Sequence, residues 1–164
     1  QAPGRVEFSR PLDVVQLIEE SLRFMLPATS AKRLEIVTSF PDQPTIAHAD
    51  PQQSQQVILN VLSNAIDVSD DDKTIWISVE RPEPGAVAIR VRDQGPGIPP
   101  AELTRIFEPF FTTKQSDRGT GLGLAISLEI MRKNGGQLAA MNHPDGGAVF
   151  EMTFQSHVGP RSAI

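Results

Sequence analysis

Two asparagines are spaced so that their side chains lie on the same face of a predicted helix. Asn60 and Asn64 are four residues apart in the segment 56–65, beside an apolar stripe of that helix. Asparagine is a mediocre helix former, so two of them one turn apart need a reason. Their neutral amide oxygens could be ligands for Mg²⁺, which takes few protein ligands and shares phosphate oxygens. A solvated helix edge would show the same spacing, so the two asparagines alone do not distinguish a Mg²⁺ site from such an edge.

A carboxylate on a glycine turn follows a predicted strand. The segment 93–99 reads DQGPGIP, which places Asp93 at the end of the strand, with Gly95 and Gly97 after it. A buried carboxylate is unfavourable unless a donor pairs with it, and an exocyclic amine such as N6 of adenine would be one. The glycines would let a flat ring lie against the backbone. Ordinary turns after strands have the same composition, so this segment also leaves two interpretations open.

Two further segments have compositions suited to a mobile cover and a phosphate-binding loop. The segment 107–114 reads FEPFFTTK, in which three phenylalanines would anchor a hinge, and the polar stretch 112–118 would be free to move as a lid. Lys114 and Arg118 could then reach over a phosphate tail. A loop that its aromatic side chains pin to the core would have the same composition, and the two interpretations are compatible. The segment 119–127 reads GTGLGLAIS, where glycine amides at a helix start would form an anion site. It lacks the Lys-Ser/Thr pair of a Walker loop and the strand-and-acid context of a dinucleotide fold.

Helices and strands are mixed along the chain and would position these segments. Asp50 is a good N-cap for the helix that carries the asparagines, and Gln53 would complete a capping box. Strand pairs that are adjacent in sequence indicate an α+β class, with an antiparallel or mixed sheet and helices on one face. The predicted helices cover 11–25, 51–69, 100–107 and 122–134, and the predicted strands cover 34–40, 45–49, 74–81, 86–93, 137–142 and 148–155.

Composition narrows the class of protein. The chain has 164 residues, 39% of them hydrophobic, which suffices for one domain with a single core. It has no cysteine, which excludes disulfides and thiolate chemistry, and no apolar run near the roughly 20 residues of a membrane span. A net charge of −5 argues against a nucleic-acid surface and requires local features to hold a polyanion. His48, His143 and His157 have no metal-ligand spacing.

The four segments together resemble the N, G1, F and G2 boxes of the catalytic ATP-binding domain of sensor histidine kinases (HATPase_c, Bergerat fold). Their order is that of the family, and the flanking HADPQQ and GGAVFEMTF are similar to its lead-in and closing strand. FEPFFTTK with GTGLGLAI looks like the nitrogen-regulation and dicarboxylate-sensing branch. The resemblance implies a two-layer α/β sandwich with a mixed, mostly antiparallel sheet and about three helices on one face. Residues 1–156 would form this domain, followed by a flexible C-terminal tail at 157–164.

The resemblance also implies roles for individual residues, with ATP and Mg²⁺ as cofactors. Asn64, with Asn60 nearby, would hold Mg²⁺ on the triphosphate, and Asp93 would accept the adenine amine. No catalytic residue is expected here, because the phosphoacceptor histidine would lie outside this chain. The other residues expected at the ATP are Gly95, Gly97 and Ile98 beside the base, Phe107, Phe110, Phe111, Thr113, Lys114 and Arg118 at the lid, and Gly119, Thr120, Gly121, Leu122, Gly123 and Leu124 at the phosphates.

Two features depart from the family pattern. Asp67 stands where many members have Lys or Arg, and we expect its carboxylate to face away from the phosphates or to reach Mg²⁺ through water. The three histidines are followed by Ala49, Pro144 and Val158 rather than by an acidic residue, so we expect the substrate histidine elsewhere in a longer parent protein. The N-terminus has neither a signal-peptide pattern nor an initiator Met, as in an excised segment.

The resemblance implies a protein-histidine kinase module that presents Mg·ATP to a histidine on a separate dimerisation domain. That domain would be the direct partner and a response regulator an indirect one, with no nucleic-acid partner. We expect a homodimeric parent, a monomeric fragment with little or no autophosphorylation alone, and a cytoplasmic location that includes the cytosolic part of a membrane-bound sensor. The alternatives are an ATP-driven clamp of the gyrase or MutL kind, a non-catalytic nucleotide-sensing module from a degenerate kinase, and a serine-directed relative with the same pocket.

Overall fold

A five-stranded sheet is the largest element of the computed structural model, which describes residues 8–111 and 123–157. Within these residues the helices are α1 (Val14–Phe24), α2 (Leu26–Ala31), α3 (Pro51–Val68) and α4 (Gly123–Lys133). The strands are β1 (Arg10–Asp13), β2 (Glu35–Ser39), β3 (Ile46–Ala49), β4 (Thr74–Glu80), β5 (Ala86–Arg92), β6 (Gln137–Asn142) and β7 (Ala148–Gln155). No helix in this described part combines the length and the apolar character that a membrane crossing requires.

The strands of the large sheet are ordered β2-β4-β5-β7-β6. β2 runs parallel to β4, and the other neighbouring strands are antiparallel, so the sheet is mixed and mostly antiparallel. β1 and β3 form a separate antiparallel pair. Helix α3 packs between α1 and α4 and against β5, and the helices cover one face of the sheet. The predicted α+β sandwich is confirmed.

The hydrophobic core lies between the sheet and the helices. Along β4 every second residue is buried, namely Ile75, Ile77 and Val79, because alternate side chains of a strand point to the same face. The buried face of α3 repeats at three- and four-residue intervals, as its apolar stripe predicts. This face consists of Ser54, Val57, Ile58, Val61, Leu62, Ala65 and Ile66. Asn60 and Asn64 lie beside it and are half-buried.

Two predicted helices differ from the structure. The prediction for 11–25 is wrong at its beginning, because the main chain of Arg10–Asp13 pairs with β3 as strand β1. Asp13 then caps α1, and its side chain accepts hydrogen bonds from main-chain N–H groups in the first turn. The prediction for 100–107 is too long, since only Pro100–Glu102 forms a 3-10 helix and turns follow it.

The beginning of α3 is fixed by a side chain from the end of α4. Asp50 caps α3 as predicted, with Oδ1 accepting from the N–H groups of Gln52 and Gln53 at 2.9 and 3.1 Å. The capping box predicted for Gln53 is wrong. Instead the Asp50 N–H donates to Oδ1 of buried Asn134 at 2.9 Å, and Asn134 Nδ2 donates to Gln53 Oε1 at 3.1 Å. Asn134 can supply this acceptor because α4 packs directly against α3.

The chain after β7 keeps contact with the small sheet. Ser156 pairs with Ala47 of β3, and the His157 N–H donates to the Ile46 carbonyl at 2.9 Å. The His157 ring stacks on His48 with ring centroids 5.6 Å apart. His157, the first residue of the predicted flexible tail, is therefore tied to the folded part of the chain. The rest of that tail, 158–164, lies outside the described residues.

Candidate functional site

Asp93 lies directly after β5 and is enclosed by protein, with 1% of its surface exposed. Its Oδ1 accepts two hydrogen bonds, from the N–H of Gly95 at 2.9 Å and from the N–H of Ala148 at 3.1 Å. Among the described residues, every hydrogen bond to this carboxylate falls on Oδ1. Oδ2 is therefore the oxygen that a ligand donor would meet.

Burial raises the pKa of Asp93 above the ordinary aspartate value. The N–H donors of Ala148 and Gly95 and the positive charge of Arg92 act in the opposite direction on this pKa, but they do not cancel the effect of burial. A desolvated carboxylate is stabilised by each further donor, because the donor replaces lost water. An exocyclic amine that donates to Oδ2 would therefore favour the ionised form of Asp93.

Two glycines let the protein backbone approach Asp93 closely. Gly147 has a φ of +83°, and a Cβ atom there would lie 2.0 Å from the Asp93 carbonyl oxygen. A Cβ atom on Gly95 would lie 2.9 Å from the carbonyl oxygen of Val68, at the end of α3. Gly95 is thus required by its contact with α3, a reason that the sequence did not reveal. Its predicted place beside a nucleotide ring remains a prediction.

The end of α3, against which Gly95 packs, is capped by a lysine that directly follows α2. Lys32 Nζ donates to the carbonyl oxygens of Ile66 at 2.7 Å and Ser69 at 3.0 Å. The Ile66 carbonyl also accepts from the N–H of the C-cap residue Ser69 at 3.2 Å, and a cation is favourable at the negative end of the helix dipole. Lys32 therefore fixes the segment that supports the glycine turn. It lies 34 residues from Ile66 in sequence and has no motif around it.

A second residue that the sequence analysis did not identify holds the loop after Asp93. Asn142, at the end of β6, accepts a hydrogen bond from the Ile98 N–H on Oδ1 and donates one from Nδ2 to the Ile98 carbonyl, both at 2.7 Å. Gly97 has a φ of +79°, and a Cβ atom on it would lie 2.9 Å from Asn142 Oδ1. The one signal available in the sequence is the position of Asn142 directly before the predicted β6–β7 turn.

Asn60 and Asn64 lie on the face of α3 beside its buried stripe, and Asn60 also contacts α4. Asn60 Nδ2 donates to Ser127 Oγ at 3.0 Å and to the Gly123 carbonyl at 3.3 Å. Ser127 is fully buried. Because the amide N–H groups of Asn60 point to the beginning of α4, its Oδ1 is the atom that could bind a ligand. Asn60 thus joins the two helices, a role that its spacing alone did not predict.

The two asparagines fit an ion that is carried by phosphate oxygens rather than held in a protein cage. In the described part of the chain, no group of three or more His, Cys, Asp or Glu side chains is arranged to hold a metal. Mg²⁺ needs only one or two protein oxygens when it retains waters and shares phosphate oxygens. The half-buried amides of Asn60 and Asn64, one turn apart on α3, offer two such oxygens.

The aromatic segment is anchored by two of its three phenylalanines. Phe107 and Phe111 pack against the core, and the Arg105 guanidinium lies 4.7 Å from the centre of the Phe111 ring. The prediction that Phe110 is a third anchor is wrong, since its side chain is 74% exposed. A turn closed by the hydrogen bond from the Phe111 N–H to the Glu108 carbonyl at 3.2 Å places Phe110 at a φ of +68°, pointing away from the core.

Most of the predicted lid and phosphate loop lies at 112–122, outside the described residues. This applies to Thr113, Lys114, Arg118, Gly119, Thr120, Gly121 and Leu122, whose roles remain predictions. Gly123 begins α4 and is exposed, and Leu124 packs against the core. Asp67 is exposed near the end of α3, and its expected orientation relative to the phosphates also remains a prediction.

Comparison with known proteins agrees with this arrangement. A family profile described as "Histidine kinase-, DNA gyrase B-, and HSP90-like ATPase" matches residues 49–158, which include Asn60, Asn64, Asp93 and Asn142. The C4-dicarboxylate transport sensor protein DctB of Pseudomonas aeruginosa is 35% identical over 138 residues. That match covers 82% of this chain and 22% of DctB, so the chain spans about a fifth of that relative. The dicarboxylate branch of this chain remains a prediction.

Solved structures of sensor kinases share the fold. The nucleotide-free catalytic domain of histidine kinase ThkA has a TM-score of 0.82 and 28% identity, and the match covers 90% of this chain and 95% of that domain. Full-length ShkA in complex with AMPPNP has a TM-score of 0.82 and 27% identity, over 98% of this chain and 34% of ShkA. ThkA has also been solved in complex with the response regulator protein TrrA.

The family profile covers well over half of the chain, and the fold, the order of the four segments and the buried aspartate all agree with it. The chain therefore belongs to the histidine kinase-, DNA gyrase B- and HSP90-like ATPase family, as a catalytic ATP-binding domain of the sensor histidine kinase type.

Proposed function

We propose that this chain binds Mg·ATP and presents the γ-phosphoryl group to a histidine on a separate dimerisation domain of its parent protein. The observation that carries this proposal is the carboxylate of Asp93, which is 1% exposed and, among the described residues, accepts its hydrogen bonds on Oδ1. Oδ2 can then accept the N6 amine of adenine. A guanine, which has a carbonyl oxygen at the corresponding position, would place an acceptor against this acceptor.

The rest of the base would lie between the loop 94–98 and helix α3. Gly95 packs on Val68 at the end of α3, and Ile98 is held by Asn142, so this loop has defined contacts on both sides. Half-buried Ile98 would supply an apolar contact to the ring. The base would therefore be recognised by groups that the sheet and α3 hold in place.

The triphosphate would extend along α3 towards the beginning of α4. Asn64 and Asn60 would hold Mg²⁺ through their Oδ1 atoms, and the ion would neutralise charge on the phosphate oxygens during transfer. The beginning of α4 would present main-chain N–H groups, and its dipole favours a negative group there. Thr113, Lys114, Arg118, Gly119, Thr120, Gly121 and Leu122 complete the proposed phosphate site on the basis of the family resemblance.

Phosphoryl transfer requires mainly positioning and charge neutralisation, so this chain need not supply a general base. Its three histidines lack the acidic neighbour expected after a phosphoacceptor, and His48 and His157 are stacked on each other at the small sheet. The acceptor histidine and a response regulator downstream of it are therefore partners outside this chain, and the parent is expected to be a cytoplasmic or membrane-anchored homodimer. The ThkA–TrrA complex is a precedent for the second partner.

The proposal is tested by nucleotide binding and phosphate transfer measured on the same preparation. Calorimetry should show binding of AMPPNP that depends on Mg²⁺. Incubation of this chain alone with radiolabelled ATP should give little or no acid-labile phosphohistidine, whereas addition of the parent's acceptor domain should give strong labelling of that domain. Strong phosphohistidine formation in this chain alone, or no binding of AMPPNP, would contradict the proposal.

A second candidate function is a nucleotide sensor derived from a degenerate kinase. Asp67 favours it, because a carboxylate stands where many family members have a cation near the phosphates. This alternative predicts binding of AMPPNP without labelling of the acceptor domain. In that case Asp67→Lys should increase labelling, whereas in an active kinase the native Asp67 already permits it.

A further inference from the structure

We propose that Asn142 is a positioning residue for nucleotide binding, which holds the main chain of Ile98 so that the loop 94–98 forms one wall of the base pocket. This inference rests on the proposed function, since it concerns the same pocket. It assigns a role to the β6–β7 hairpin, which none of the four sequence segments includes.

The contact between Asn142 and Ile98 satisfies both main-chain groups of one residue. Oδ1 accepts from the Ile98 N–H and Nδ2 donates to the Ile98 carbonyl, each at 2.7 Å. A carboxamide has a donor and an acceptor at the spacing of a strand edge, so it can pair with a main chain as a neighbouring strand would. Serine has its donor and acceptor on one atom of a shorter side chain, so it cannot present two separate atoms to the Ile98 N–H and carbonyl, and aspartate cannot donate when it is ionised.

The loop has few other ways to be held. Pro96, Pro99 and Pro100 have no main-chain N–H, so the segment from Gln94 to Pro100 has few main-chain donors. In the described part of the chain, the Gly95 N–H donates to Asp93 Oδ1 and the Ile98 N–H donates to Asn142. These two bonds tie the loop at its beginning and near its end. Without Asn142, the next main-chain hydrogen bond after Ile98 is the local one from the Glu102 N–H to the Pro99 carbonyl at 2.8 Å, which does not join the loop to the hairpin.

The same hairpin also holds the aspartate, from the residue opposite Asn142. Asn142 of β6 and Ala148 of β7 are direct register partners. Ala148 N–H donates to Asp93 Oδ1 at 3.1 Å, while Asn142 binds Ile98. One pair of facing residues therefore fixes both the carboxylate that would accept the amine and the loop that would face the ring.

Close backbone packing makes this frame stiff. Gly147, next to Ala148, leaves no room for a Cβ atom against the Asp93 main chain, and Gly97 leaves none against Asn142 Oδ1. The distance between Asp93 and Ile98 is thus set by the hairpin and not by the loop alone. When Asn142 loses its amide, Ile98 should become free to move while Asp93 stays in place.

The experiment measures affinity and local protection together. Asn142→Ala should weaken binding of AMPPNP with Mg²⁺ about tenfold, because two hydrogen bonds that order the pocket wall are lost. Binding of ADP without Mg²⁺ should weaken by the same factor, since the base pocket is common to both ligands. Amide hydrogen exchange followed by NMR should show loss of protection at Ile98, with Gly95 and Ala148 still protected. Asn142→Ser, which keeps a small polar side chain, is a second variant with the same expected direction.

The controls separate this inference from the proposed function. Gln137→Ala, at an exposed position of the same strand, should match the wild type in both measurements. Asp93→Asn should lose affinity while Ile98 stays protected. Unchanged affinity of Asn142→Ala with Ile98 unprotected would overturn the inference and leave the proposed function intact. Loss of protection at Gly95 and Ala148 as well would show a general structural role and also overturn it. A wild type that binds no nucleotide would overturn both.

Discussion

The base end and the phosphate end of the proposed site are built in different ways. At the base end, Asp93 is buried, and main-chain groups of Gly95 and Ala148 bind its carboxylate. At the phosphate end, half-buried side chains of Asn60 and Asn64 project from one helix. The base end thus depends on how distant parts of the backbone meet, whereas the phosphate end depends on side chains at local spacing. Substitutions at the two ends should therefore have different consequences.

The largest effect is expected at the base end, from Gly147→Ala. A Cβ atom there would lie 2.0 Å from the Asp93 carbonyl oxygen, and the φ of +83° is unfavourable for alanine. Strain and overpacking together should reduce the free energy of unfolding by about 3 kcal/mol. Chemical denaturation measures this loss. Gly146→Ala is the matched control, because it has a similar positive φ but no atom within 4 Å of the new Cβ. Equal losses in the two variants would show that contact with Asp93 is unimportant.

A smaller and more selective effect is expected at the phosphate end, from Asn64→Ala. Loss of one Mg²⁺ ligand should weaken Mg²⁺-dependent binding of AMPPNP about tenfold, while binding of adenosine stays as in the wild type. Calorimetry with both ligands measures the difference. An equal loss for adenosine would remove the metal role and indicate a folding role for Asn64 instead.

Ser127→Ala tests whether Mg²⁺ dependence comes from the amide oxygens themselves or from the contact of Asn60 with α4. It removes an acceptor of Asn60 Nδ2 on α4 without removing either amide oxygen. We expect a loss of about 1 kcal/mol in the free energy of unfolding and a smaller change in Mg²⁺ dependence than for Asn64→Ala. If Ser127→Ala weakened the Mg²⁺ dependence as much as Asn64→Ala, the contact between α3 and α4 would matter more than the ligand atoms.

The smallest expected effect is the pH dependence of the base end. Burial raises the pKa of Asp93 in the folded chain, so the folded state binds this proton more tightly than the unfolded state. Stability without ligand should therefore fall as pH rises from the ordinary aspartate pKa through the raised value. Affinity for adenosine should rise over the same interval, because the ionised carboxylate is the better acceptor. Denaturation and adenosine titrations at a series of acidic pH values measure both slopes, and the difference between the wild type and Asp93→Asn isolates the contribution of this carboxyl.

Local sequence signals predicted some of the residues at the base end and at the phosphate end of the proposed site. The apolar stripe of α3 placed Asn60 and Asn64 on a common face, and the strand before DQGPGIP placed Asp93 at its end. These features depend on helical and strand periodicity over a few residues, which a single sequence displays directly. The confirmed α+β class follows from the same signals, since the order of helices and strands limits how they can form layers.

Contacts between distant residues were not predictable in the same way. Asn142 is 44 residues from Ile98, and Ala148 is 55 residues from Asp93, so neither contact leaves a local pattern. The capping box predicted Gln53 as the acceptor of the Asp50 N–H, but the acceptor is Asn134, which is 84 residues away from Asp50 and likewise leaves no local pattern. The exposure of Phe110 results from a single turn in which this residue has a positive φ. The phenylalanine-rich composition of the segment 107–114 predicted instead that Phe110 would be an anchor.

The most direct test of the account is calorimetry of Asp93→Asn with AMPPNP and Mg²⁺. The asparagine Oδ1 can still accept from Gly95 and Ala148, so the variant should fold, but its Nδ2 would place a donor against the adenine amine. We expect affinity to fall at least about 100-fold, with a melting temperature no lower than that of the wild type. Unchanged affinity in a folded variant would show that the base is not recognised at Asp93.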